Sequence, residues 1–76
     1  MSSEEKTIIE LLHNKHKKIL LSKKETAHEV SRSCSSLDRD RKAAIGMQYI
    51  KTGDGNIYYP ISEIASFIVR SMTKTV

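Results

Sequence analysis

The chain has very little of what usually staples a small domain. Among its 76 residues there is one cysteine, Cys34. That excludes an intramolecular disulfide framework and an all-cysteine zinc site, the common supports of very small folds. No apolar run approaches the roughly 18 residues that a membrane span needs. The opening Met1-Ser2-Ser3-Glu4-Glu5 is acidic and does not resemble the basic start of a signal peptide, so a cytoplasmic protein with no membrane association is expected. No Gly-rich phosphate loop, paired carboxylates or triad spacing occurs, and neither do internal repeats or low-complexity stretches. The expectation is therefore no enzyme and no cofactor.

What is present bounds the rest. Apolar residues make up 38% of the chain, below the 45–50% or so typical of globular domains but enough for one thin core. The formal charge is +4 and the pI about 9.4, a balance that suits an anionic partner. Its distribution is uneven. From Leu11 to Lys24 there are five lysines, two histidines and no acid. A second basic set, Arg32, Arg39, Arg41 and Lys42, is diluted by Asp38 and Asp40.

Periodicity divides the chain into helices and a hairpin. Ile8, Ile9, Leu11, Leu12, Ile19 and Leu20 follow a near-helical spacing over residues 4 to about 20. Acids at its start and lysines near its end suit the helix macrodipole. Ser22-Lys23-Lys24-Glu25 has the form of a capping box and opens a second helix reaching about residue 30. Ser31 to Ser33 interrupt it, because hydroxyl side chains compete for backbone groups. A third helix is expected from Ser33 or Cys34 to about Ala44, with Leu37 as its apolar anchor. Two short helices around such a turn form a helix-turn-helix candidate. After Gly46 the pattern alternates. Residues 48–52 and 57–59 read as strands, joined by Gly53-Asp54-Gly55-Asn56, a tight-turn sequence. Pro60 ends the second strand, and Ser62 is a fitting N-cap for a last helix bearing Ile64, Phe67, Ile68 and Met72. The expected core is Leu21, Ala27, Val30, Leu37, Ile45, Ile50, Ile57, Tyr59, Ile64 and Phe67.

Four fragments in this order carry a resemblance. They are Leu20-Leu21-Ser22-Lys23-Lys24-Glu25-Thr26-Ala27, Ser33-Cys34-Ser35-Ser36-Leu37-Asp38-Arg39, Gly46-Met47-Gln48-Tyr49-Ile50-Lys51-Thr52-Gly53, and residues 57–68 with Tyr58, Pro60, Ile64 and Phe67. From residue 20 to 69 the chain resembles the small winged helix-turn-helix domains of excisionases and AlpA-like phage and prophage regulators, in the MerR-like superfamily. It departs from that pattern at Cys34, where the family usually has Arg, at Asp38, where it has an aromatic, and at Phe67, where it has Trp.

The resemblance implies a mainly α fold with a β-hairpin, a winged helix-turn-helix over 20–72; the first 19 residues lie outside it and are expected to form an N-terminal helical extension, and 73–76 a flexible tail. It implies a sequence-specific protein of double-stranded DNA, a transcription regulator or excision factor. Ser35, Ser36 and Arg39 would then reach base edges, with Arg39 able to donate twice to a guanine. Arg32, Arg41 and Lys42 would contact phosphate. Lys23 or Lys24 would do so at the start of the second helix. Lys51, Asn56 and Tyr58 would form the contact of the wing with the backbone or minor groove. The apolar stripe of the first helix suits the core or a second copy of the chain, or another protein.

Two other readings stand beside these. The basic residues can simply form a solvated face, and the fold can be a protein-interaction module that does not bind DNA. His13, His16, His28 and Cys34 are the residue types of a zinc site, but nothing in their spacing brings the two pairs together.

Overall fold

Glu4 and Glu5 in the first turn and His13, Lys15 and His16 in the last place charge of the favourable sign at each end of the first helix. In the computed structural model, which describes residues 3–72, this helix is α1 (Ser3–His16). It is followed by β1 (Leu20–Ser22), α2 (Lys23–Glu29), α3 (Cys34–Lys42), β2 (Ile50–Lys51), β3 (Ile57–Pro60) and α4 (Ile61–Ser71). The protein is thus mainly helical, with one small three-stranded antiparallel sheet in the order β1-β3-β2. The tail expected at 73–76 lies outside the described residues.

α1 stops short of the expected residue 20. Its last turn is polar, and Lys17 adopts a left-handed φ of 59°. The chain then reverses, and Leu20–Ser22 joins the sheet instead of extending the helix. Leu21 is fully buried and pairs with Tyr59, while Leu20 and Ser22 flank it half-buried. Three residues are too few to show the alternation of a strand, which is why helical spacing overreaches here.

The capping box forms as expected. Ser22 Oγ accepts from the Glu25 N–H at 3.2 Å, and Glu25 Oε1 accepts from the Ser22 N–H at 2.9 Å. α2 ends at Val30, and Ser31 turns the backbone through φ 56°. Ser33 then caps α3, its Oγ accepting from the Ser36 N–H at 3.0 Å. Leu37 points from α3 into the core and is buried.

Beyond α3, Ala44 (φ 59°) and Gly46 (φ 85°) fold the chain back sharply. A side chain at Gly46 would also press on Asp40, whose Cβ lies 3.3 Å from the position a Cβ would take. This reversal swaps the expected core residues. Met47 turns inward and is buried, whereas Ile45 is 60% exposed. Ile50 is also exposed, at 42%, because β2 is a two-residue edge strand whose residues both face solvent.

At the hairpin tip, Gly55 supplies the positive φ of 88°. Asp54 gathers the turn, accepting from Thr52 Oγ1, from the Asn56 N–H and from Asn56 Nδ2. β3 is the central strand, and its Pro60 passes directly into α4. Ser62 does not cap that helix. Pro60 holds φ at −62°, and the Ile61 N–H donates to the Ile19 carbonyl at 2.9 Å. The strand region thus satisfies the first helical N–H without a hydroxyl.

The core gathers Leu12 of α1, Leu21, Ala27, Leu37, Met47, Tyr59, Ile61 and Ile64. Val30, Ile57 and Phe67 lie half-buried against it, as does Cys34. α1 packs against α4, which also packs on β3. Ile19, whose spacing suggested a place in the α1 stripe, is 65% exposed. Among the described residues no helix is long and apolar enough to cross a membrane.

Candidate nucleic-acid interface

Helical geometry sorts the side chains of α3 into three stripes. With Leu37 pointing inward, Ser35, Asp38, Arg39 and Lys42 share the outward face. Together with Ala43 they line an open groove along the helix. Ser35, Arg39 and Lys42 are exposed.

The flank towards α4 carries a closed set of contacts. Arg32, in the turn before α3, donates to Ser36 Oγ through Nε at 3.0 Å and Nη2 at 2.6 Å. Its Nη1 lies 3.0 Å from Asp40 Oδ2, and its guanidinium stands 5.9 Å from the centre of the Phe67 ring. Arg32 and Ser36, both expected to meet DNA, are thereby committed to each other, and Arg32 also to Asp40. They form one stripe beside the outward face rather than part of it.

The flank towards the hairpin holds Arg41. Its Nη1 donates to Asp38 Oδ1 at 2.7 Å, and its guanidinium lies over the Tyr49 ring, 5.7 Å from the centroid. Asp38 is also reached from α2, where Lys23 Nζ lies 3.1 Å from Oδ1 and 3.3 Å from Oδ2. These hydrogen bonds, from Arg41 first and Lys23 second, hold the Asp38 carboxyl below its ordinary range. Asp38 also holds the Arg41 guanidinium in its charged form more firmly.

Lys23 connects this face to a second recess. The pairing of Ser22 with Tyr58 sets the hairpin beside the start of α2. Lys23, Lys24 and Ser22 there face Gly55, Asn56, Ile57 and Tyr58 across a notch open to solvent. Lys24 and Asn56 are exposed, and Tyr58 is half-buried. Lys51 is exposed on the edge strand β2 and lines neither recess.

The structure therefore brings eight of the residues singled out from sequence onto one connected surface: Ser35, Arg39, Lys42 and Arg41 on α3, Lys23 and Lys24 on α2, and Asn56 and Tyr58 on the hairpin. Asp38 is the joint between the two recesses. Its pairing with Arg41 was visible as an i, i+3 spacing. Its pairing with Lys23, fifteen positions away, was not.

Elsewhere, His16 sits between α1 and α2, with Nδ1 3.6 Å from Glu25 and Nε2 3.7 Å from Glu29. Among the described residues, no three His, Cys, Asp or Glu side chains are placed to share a metal ion. Comparison of the chain with family models, with curated proteins and with solved structures finds no match.

Proposed function

We propose that the chain is a sequence-specific double-stranded DNA-binding protein with a winged helix-turn-helix, of the kind used by phage or mobile-element transcription regulators and excision factors. In this reading α2 and α3 are the helix-turn-helix, α3 lies in the major groove, and the β2–β3 hairpin is the wing. The observation that carries it is the connected surface running from α3, through Lys23 and Asp38, to the notch beside the hairpin. An exposed helix face next to a hairpin fits a rod-shaped polyanion better than a small ligand.

Residue roles follow from position. Arg39, outward and unencumbered by the ion pairs around it, is the residue to donate in a bidentate manner to guanine, a contact worth about 1–3 kcal/mol of discrimination. Ser35 specifies weakly, since a hydroxyl donates to base or phosphate alike. Lys42 and Lys24 meet phosphate, with Asn56 at the hairpin tip, while Lys51 on the edge strand stands apart from this face. Arg32 and Ser36 act less directly, by fixing the turn that leads into α3.

Fluorescence anisotropy with random duplex DNA at two salt concentrations tests this. Neutralising about four phosphates gives a log–log slope of about −3 to −5. No binding at about 50 mM salt, or binding that salt does not weaken, overturns the proposal. A second reading, a winged protein-interaction module without DNA affinity, is favoured by one observation: Asp38 and Asp40 already occupy Lys23, Arg41 and Arg32. The same titration decides between the two.

A further inference from the structure

Asp38 links α3 to the start of α2 through its carboxylate. Its carboxylate bridges two cations from different helices, Lys23 at 3.1 Å and Arg41 at 2.7 Å. It borders the outward groove of α3, and Lys23 borders the notch beside the hairpin. The carboxylate oxygens thus sit at the junction of the two recesses, with the donors that a phosphate oxygen would use. A carboxylate and a phosphate compete for the same N–H groups.

We infer that Asp38 is an internal phosphate mimic: it holds Lys23 and Arg41 in an intramolecular ion pair and so lowers the sequence-independent affinity of the protein for duplex DNA. The inference rests on the DNA-binding reading above. Non-specific binding comes almost entirely from cations that neutralise phosphates and release counterions. With Asp38 charged, Lys23 and Arg41 bring one net positive charge to the surface instead of two. Arg39 and Ser35 point outward from the same helix face and keep their access to base edges. The protein then leans on base contacts more heavily than its count of lysines and arginines suggests. That matters where a cognate site competes with a genome of non-specific ones.

The change Asp38→Asn removes the charge and keeps the shape of the side chain. The control is Glu10→Gln, which alters net charge equally on the exposed surface of α1. Affinity for a random duplex at about 50 mM salt rises about tenfold in Asp38→Asn, and the log–log salt slope steepens by about one. Glu10→Gln changes affinity less than about twofold, because separated surface charges are screened. Lys23→Gln weakens binding more in the Asp38→Asn background than in the wild type, since only there is the ammonium released. A purely structural role for Asp38 would not produce that coupling or the change in slope.

Circular dichroism melts establish that each variant is folded. If the wild type binds with a salt slope and folded Asp38→Asn binds equally or more weakly, the mimic is refuted while the DNA reading stands. The same holds if Glu10→Gln matches Asp38→Asn. If the wild type does not bind duplex at about 50 mM salt, the DNA reading fails and takes the mimic with it.

Discussion

Ser22 and Glu25 cap one another: the Ser22 hydroxyl accepts from the Glu25 N–H, and the Glu25 carboxylate accepts from the Ser22 N–H. Because Ser22 also pairs with Tyr58, this cap fixes the angle at which α2 leaves the sheet. The Ser22→Ala change is expected to cost about 1 kcal/mol, the usual loss for an N-cap hydroxyl. Urea unfolding followed by circular dichroism reads this as a lower midpoint with an unchanged slope. An unchanged midpoint would mean that the sheet alone positions α2.

Glu25 carries the pH dependence. The hydrogen bond from Lys18 and then that from the Ser22 N–H lower its pKa from 4.5 to about 2. The folded state therefore binds its proton more weakly than the unfolded chain. Its contribution is complete above the unfolded value and is lost as the pH falls from about 4.5 towards 2. Glu29, held by Lys15, and Asp38, held by Arg41, are lowered in the same direction. Melting temperature is expected to drop through this acid range, and Glu25→Gln to make the drop shallower. Parallel profiles for wild type and variant would refute the assignment.

Leu37 and Ile45 separate burial from hydrophobicity. Leu37 is 3% exposed, and Leu37→Ala is expected to cost about 2–5 kcal/mol through lost burial and the remaining cavity. Ile45 is equally apolar but lies on the surface, and Ile45→Ala should fall within about 0.5 kcal/mol of wild type. Chemical denaturation of both variants checks the pair. A large loss at Ile45 would place it in the core after all.

Thr26 is fully buried, and its hydroxyl has no hydrogen-bond partner among the described residues. An unpaired hydroxyl in the core retains its desolvation cost. Thr26→Val keeps the shape and removes that cost, so a gain of about 1 kcal/mol is expected. Calorimetry would record it as a rise of several degrees in a domain this small, about 4–8 °C per kcal/mol. A fall would show that the hydroxyl is satisfied.

The legible parts of the fold are those written in local chemistry. Ser22-Lys23-Lys24-Glu25, Ser33 before α3, and Gly53-Asp54-Gly55-Asn56 each specify a cap or turn within four residues, and each forms where its chemistry demands. The illegible parts depend on partners distant in sequence. Leu20–Ser22 is a strand only because β3 lies beside it. Ile45 and Met47 exchange places because Ala44 and Gly46 reverse the chain, a turn that periodicity does not register. Likewise, the residue types of the candidate interface were readable. The division of labour around α3, with Arg32 tied to Ser36 and Asp40 and Arg39 left outward, came only from tertiary placement.

On the proposed reading, duplex DNA meets the face formed by α3, the start of α2 and the hairpin tip. Titration of the ¹⁵N-labelled protein with a random duplex at low salt, followed by amide chemical shifts, tests it most directly. Shifts are expected to concentrate at Lys23, Lys24, Ser35, Arg39, Lys42, Gly55 and Asn56, while α1 and the α4 residues packed on it stay nearly unmoved. Shifts centred on α1 and α4, or no shifts at all, would contradict it.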